Sequence, residues 1–219
     1  MIKYRFCYEK FGDAKYVSHL DLIRLFSRAF KRAGIPLTYS EGFNPHPKLA
    51  IGLPLSVGVT SECEYMDAET DRRLTMEDFK ELNRKMPIGI QFSAMGERAL
   101  GTKKLSDISY AVYRVTARCT KISGEALQGF LQKEQVLIEK KTKRKVEETD
   151  ILPDIGTLSI ESETESGLVF SMTLAAGPSA NLKPDLVLSA MAQYIEGFSV
   201  TDYDIHRVSI LGSDGKKML

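Results

Sequence analysis

The run YSEGFNPHPKLAIGLPLSVG, residues 39–58, places Gly42, Pro45, His46 and Pro47 together, with Gly52, Pro54 and Gly58 behind them. Glycine lets a backbone approach a ligand and proline stiffens its path, so the segment is built to hold a shape rather than fill a core. His46, braced between two prolines, has the chemistry of a general acid or base, or of a hydrogen-bond donor to a phosphate. Just before it, Arg24, Arg28, Lys31 and Arg32 fall on one side of a helical pattern, where guanidinium and ammonium groups suit a phosphate backbone. Tyr39 and Phe43 offer rings for a base to stack on, worth about 1–3 kcal/mol per base, while Asn44 and Lys48 complete the pocket. The stripe reads equally as a solvated helix face.

Two further stretches have anion chemistry. Lys140, Lys141, Lys143, Arg144 and Lys145 form a cationic run followed by Glu147, Glu148 and Asp150, which must be solvated or matched by an anion. AAGPSANLKPD, residues 175–185, sets Gly177, Ser179, Asn181 and Lys183 before a helix opening at Pro184, a small-residue turn with free N–H groups and one full charge. The alternatives are a charged surface hairpin and a plain strand-to-helix connection. His19, two residues before Asp21, reads as a capping or packing residue or a second proton carrier. His206 has no obvious carboxylate or thiol nearby in sequence, and no second catalytic group is visible beside His46.

These groups need a frame, and hydrophobic periodicity supplies one. Residues 2–8 alternate as a half-buried strand, with Ile2, Tyr4, Phe6 and Tyr8 on one face and Lys3, Arg5 and Cys7 on the other. Ser18, with Asp21 three residues on, caps a helix to about Ala33 that stops at Gly34, burying Leu22, Leu25, Phe26, Ala29 and Ala33. Extended pieces follow at 37–39, 48–52 and 60–67. Thr75 opens a second helix with Met76, Phe79, Leu82 and Met86 as its apolar stripe, and a strand follows over 89–94. That order, β-α-β-β-α-β, is the ferredoxin-like pattern. After a linker at 101–106, Tyr113-Arg114-Val115 repeats the residue types of Tyr4-Arg5-Phe6. Helices at 123–132 and 184–195 and strands at 136–140, 156–161, 168–174 and 204–211 complete a second round. The expectation is an α+β protein of two tandem ferredoxin-like halves, 1–100 and 107–219.

Composition adds exclusions. With 219 residues, 43% hydrophobic, and a net charge of +1, the chain has the make-up of a globular protein of one or two domains. No apolar run approaches the ~18 residues a membrane helix needs, and the opening MIKYRFCYEK carries charge where a signal peptide is apolar, so a cytoplasmic location is expected. Cys7, Cys63 and Cys119 lack any C-x-x-C pairing, which argues against a metal or disulfide framework and reads as buried or inert thiols. No metal site or cofactor is expected.

The runs YVSHLD (16–21), FSRAFKRAG (26–34), PLTYS (36–40), GFNPHPKLAIGLPLSVGV (42–59) and EYMD (64–67), with KKTKRKVEETDI and NLKPD later, resemble the radical-SAM-associated family known as domain of unknown function 2344. The resemblance covers most of the chain. It implies a protein that stands alone or extends a radical SAM protein at its C-terminus, with no assigned activity. Because C-x-x-x-C-x-x-C is absent, it also implies a companion of radical chemistry rather than its site. A looser, fold-level similarity is to RAMP-superfamily CRISPR RNA endoribonucleases. The reading that follows is an RNA-binding accessory module of a radical SAM modification system, with no membrane partner and no DNA specificity. Arg24, Arg28, Lys31, Arg32, Tyr39, Phe43, Asn44, His46, Lys48, Lys143, Arg144, Asn181 and Lys183 form its track. The alternatives are a metal-independent endoribonuclease using His46 or His19, and a protein-interaction domain for the radical SAM partner.

Overall fold

The computed structural model describes residues 1–219 apart from 100, 142–145 and 179, and leaves the side chains of 140, 141, 146 and 147 undescribed. Among the described residues the protein is a mixed α+β structure with four α-helices and mostly antiparallel strands. It divides into two compact units, one made of Met1–Ile108 with Ser209–Leu219, the other of Ser109–Val208. The final segment, placed with the second half on sequence grounds, thus belongs to the first unit.

In the first unit the elements run β1 (Ile2–Lys10), α1 (His19–Arg32), β2 (Leu49–Gly52), β3 (Thr60–Thr70), α2 (Met76–Arg84) and β4 (Ile90–Glu97). β1 lies between β3 and β4, antiparallel to both, and β2 pairs with β3 on its other side. The inner face of β1 carries Tyr4, Phe6 and Tyr8 into an aromatic core. Phe6 stands 5.0 Å from Phe92 and 5.5 Å from Phe30, and Tyr8 is 5.0 Å from Phe26. Leu22, Phe26, Ala29 and Phe30 of α1 are buried against it, with Leu25 and Ala33 packed at its edge. Fully buried aromatics of this size supply about 1.5–3 kcal/mol each by area removed from water. Phe79 and Leu82 of the expected α2 stripe, and Met86 just past the helix end, pack on the core, but Met76 in the first turn is 65% exposed.

The strand expected to be half-buried over residues 2–8 is in fact buried on both faces from Tyr4 to Tyr8, while Lys3 stays exposed. Arg5 and Cys7 are covered as fully as the aromatic side, because the C-terminal segment, with Ile210 and Met218, packs there together with Tyr65 and Ile108. Lys10 at the strand end is also buried. Its ammonium donates to the carbonyls of Lys15 (3.2 Å) and Val17 (2.9 Å), fixing the turn that leads into α1.

The second unit holds β5 (Ile108–Cys119) from Ser109 on, α3 (Gly124–Leu131), a hairpin of β6 (Leu137–Lys141) and β7 (Val146–Asp150), then β8 (Ile155–Thr164), β9 (Gly167–Ala175), α4 (Pro184–Tyr194) and β10 (Val200–Gly212) as far as Val208. β9 lies antiparallel between β5 and β8, and β10 is the other neighbour of β5. The hairpin is a sheet of its own, tied down where Asp150 accepts from the Val136 and Leu152 N–H groups.

Candidate functional site

α1 begins where Ser18 accepts from the Asp21 N–H (3.3 Å) and donates to its carboxylate (2.7 Å), and it ends with Gly34 at φ 68, a left-handed position that favours glycine. Burial of Leu22, Phe26, Ala29 and Phe30 fixes the helix's rotation, so Arg24, Arg28, Lys31 and Arg32 face out. With Val17, Asp21, Leu25 and Pro87 they line one open cleft of about 570 Å3. The four cations are not equivalent. Arg24 is paired with Asp21 at 3.1 Å, and Arg32 donates to the Lys85 carbonyl at 2.8 Å, closing the C-terminal end of α2. Arg28 and Lys31 have no hydrogen-bond or ion-pair partner among the described residues. They are therefore the groups an incoming anion meets without displacing a protein contact.

The glycine- and proline-rich run forms a braced loop rising from β3. Thr38 N–H donates to the Glu69 carbonyl and Glu69 N–H to the Lys48 carbonyl, while Tyr39 bridges Pro47. Ser40 closes the ring. Its N–H reaches the His46 carbonyl (2.9 Å), its hydroxyl accepts from the His46 N–H (3.1 Å), and the same hydroxyl lies 2.9 Å from His46 Nδ1. Gly42 sits at φ 115, a conformation side chains rarely adopt. The loop presents Phe43 fully exposed and Tyr39 half-exposed, with Asn44 and His46 also facing solvent. With Nδ1 held by Ser40, Nε2 is the imidazole atom left for a ligand or a proton.

This loop and the α1 stripe line different clefts. His46, Pro47 and Lys48 border a second one, of about 320 Å3, together with Lys3, Asp67, Glu69 and Arg98. The sequence reading missed Lys3, Asp67, Glu69 and Arg98. Here charge is largely matched internally. Lys48 approaches Glu69 at 3.7 Å, and Asp67 receives Arg5 in a two-pronged bond (2.7 and 2.9 Å) and Arg98 at 2.7 Å. Arg98 Nε is buried with no hydrogen-bond partner among the described residues. His19, the other proton-carrier candidate, sits in the first turn of α1 with its Nδ1 buried and without a hydrogen-bond partner among the described residues.

In the second unit, Asn181 and Lys183 are exposed in the connection before α4, and Pro184 occupies the first helical position with no side-chain cap. Lys143 and Arg144 of the expected track, and Ser179 of the expected cradle, lie outside the described residues.

Two of the three thiols are buried, as expected, and the fold adds a contact between them. Cys7 and Cys63, isolated in sequence, are brought sulfur to sulfur at 3.2 Å within the buried cluster on the far side of β1, because antiparallel pairing of β1 with β3 places them on one face. Among the described residues no group of three metal-ligating side chains occurs, and no helix is long and apolar enough to cross a membrane.

Comparison with solved structures finds distant likenesses. A Cbf5-Nop10-Gar1 complex aligns at TM-score 0.48 and 8% identity over 94% of this chain and 49% of that one. An archaeal box H/ACA sRNP Nop10-Cbf5 complex aligns at 0.43 and 8% over 92% and 46%. The first two RRM domains of a yeast poly(U) binding protein align at 0.22 and 10% over 94% and 98%. The chain spans about half the length of the first two, and none of the three is a RAMP-superfamily protein, to which the sequence has only a looser fold-level similarity. Likenesses at these scores carry nothing about activity. No curated protein matches the chain. A family model, however, matches residues 3–184, the same span that holds α1, the braced loop and the helix start at Pro184, and the chain belongs to that family, DUF2344, described as uncharacterized protein conserved in bacteria.

Proposed function

We propose that this protein is an RNA-binding accessory module that presents its substrate to a radical SAM modification enzyme, each unit being a ferredoxin-like half. The observation that carries the RNA reading is the α1 cleft, where Arg28 and Lys31 stand exposed and unmatched beside Arg24 and Arg32. An open cationic surface of this kind suits a phosphate backbone rather than one small enclosed ligand. His46 and Lys48, with Lys3 and Arg98 behind them, extend the contact at the base of the loop. Tyr39 and Phe43 supply stacking surfaces, and Asn181 and Lys183, with Lys143 and Arg144 outside the described residues, are separate candidate contacts in the second unit. The radical SAM partner rests on the sequence resemblance alone.

The test is fluorescence anisotropy with single-stranded RNA over a salt series. Binding should weaken steeply with salt, and the double change Arg28→Ala with Lys31→Ala should lower affinity at least tenfold and reduce the salt slope by about 1.4, at ~0.7 per phosphate contact. Affinity insensitive to salt, or unchanged in the double variant, rules the reading out. RNA cleavage in EDTA that disappears in His46→Ala would instead identify an enzyme.

A second reading has its own support in Phe43, an aromatic ring fully exposed at the tip of a rigid loop. Such a ring on a braced support is an anchor suited to a pocket on a protein partner. If Phe43→Ala abolishes copurification of the radical SAM protein while RNA affinity is retained, the loop is a docking element and α1 alone carries the RNA.

A further inference from the structure

Two nucleophilic groups in the first unit have no part in the RNA reading. Cys7 on β1 and Cys63 on β3 are both free, both buried, and their sulfurs are 3.2 Å apart, closer than two thiols need to be to share space. They sit 56 residues apart in sequence, so only the strand pairing brings them together. The β1–β3 register shifts between Tyr8 and Lys10, beside the pair, where the ladder is locally interrupted. A disulfide has its sulfurs about 2.05 Å apart, so closing this one asks for roughly an ångström of side-chain movement.

We propose that Cys7 and Cys63 are a reversible oxidation site, a dithiol that closes to an intrachain disulfide when a peroxide reaches it. Cys63 is the attacking sulfur. Its pKa is lowered, to about 7, first by its hydrogen bond with the Cys7 sulfur and then by Tyr65 and the nearby Lys217, against the opposing effect of burial. The same bond, together with burial, pushes the Cys7 thiol up, so Cys7 keeps its proton until the second step. In the first step the Cys63 thiolate attacks hydrogen peroxide, an S–O bond forms as the O–O bond breaks, and hydroxide leaves. In the second, the Cys7 sulfur attacks Cys63, the S–S bond forms, the S–O bond breaks, and water departs with the Cys7 proton. Two thiols supply the two electrons that reduce one peroxide to two waters.

Access is set by the C-terminal segment. Met218 is buried in the same cluster, its N–H donates to the Tyr65 hydroxyl at 3.3 Å, and its carbonyl accepts from Arg5 at 2.9 Å. Lifting these last residues opens the pair, so Met218→Ala should speed oxidation without changing its product. Cys119, in the second unit, serves as an internal control, its thiol held above the ordinary range by burial.

The experiment treats the full native chain with hydrogen peroxide, blocks remaining thiols by alkylation, and maps peptides by mass spectrometry. The expected result is a Cys7–Cys63 cross-linked peptide lacking two hydrogens, Cys119 still alkylated, and complete reversal by dithiothreitol. With Cys7→Ser, Cys63 should stop at a sulfenic acid that dimedone traps. The proposal is overturned if Cys63 proceeds to sulfinic acid while Cys7 stays alkylatable, or if neither thiol of the native protein reacts until the chain is unfolded. The wild-type chain alone decides between these outcomes, and none of them bears on whether RNA binds at α1.

Discussion

The first strands of the two units carry a matching Tyr-Arg pair followed by an apolar residue, Tyr4-Arg5-Phe6 on β1 and Tyr113-Arg114-Val115 on β5, yet their arginines serve different ends. Each arginine makes a two-pronged bond to a carboxylate on another strand of its own unit, Arg5 to Asp67 at 2.7 and 2.9 Å and Arg114 to Glu161 at 3.0 and 2.9 Å. The Arg5 side chain is 1% exposed and its partner 16%, whereas Arg114 and Glu161 are 49% and 40% exposed. Water screens the second pair, so it contributes little. The first sits in a medium where a lone charge is costly, so removing one partner is severe even though the intact pair is only modestly stabilising. The same kind of arginine–carboxylate pair becomes structural or incidental according to what covers it.

The sharpest way to break that contrast is Asp67→Ala. It strands Arg5 inside the first unit and removes the bond to Arg98, and urea denaturation should show a loss of about 3–5 kcal/mol. A loss no larger than that of a surface variant would mean the two arginines are alike after all. An intermediate case is Arg72 with Asp78, 44% and 15% exposed, where the carboxylate also completes a reciprocal cap with Thr75 at the start of α2. Asp78→Ala should cost about 1 kcal/mol, the size of a lost N-terminal cap, read as a shift in the urea midpoint. This pair also has a pH signature. The Arg72 guanidinium, followed by the Thr75 contacts, holds the Asp78 carboxyl well below the ordinary carboxylate range. A folded-state value below the unfolded one means the contribution is fully present above the unfolded pKa and disappears as pH falls through it toward the folded value. The wild-type chain should therefore lose more stability than Asp78→Ala between neutral pH and strong acid, as followed by thermal melts.

Arg28→Ala with Lys31→Ala sharpens the comparison from the other side. Cations with no protein partner should cost no more than about 0.5 kcal/mol of stability when removed, while RNA affinity falls. The smallest effect belongs to Glu161→Gln. Arg114 depresses that carboxyl, but exposure and salt screening leave its melting curve indistinguishable from wild type above 0.1 M salt.

Much of the frame was legible in the sequence. The period of α1, its Ser18 cap and its Gly34 stop were readable because they depend on neighbours three or four residues apart. So was the loop, since Gly42 and the prolines around His46 act through their own backbone. The errors fall where partners are distant. Alternation assigned Arg5 and Cys7 to the outer side of a half-buried strand, and nothing within ten residues signals that Asp67, Cys63 and Met218 cover them. Lys3, Asp67 and Arg98 were missed as neighbours of His46 for the same reason, and Arg32 was read as a free cation although it closes the end of α2.

What the sequence determined by itself is the set of local shapes and the face on which α1 carries its cations, because helix period and backbone restriction act over a few residues. Only the tertiary structure decided which charges are spoken for, which arginine is buried, and that two distant thiols touch. Those outcomes depend on strand register and on what the C-terminal segment covers, and burial, not residue type, sets the strength of a charge and the fate of a sulfur.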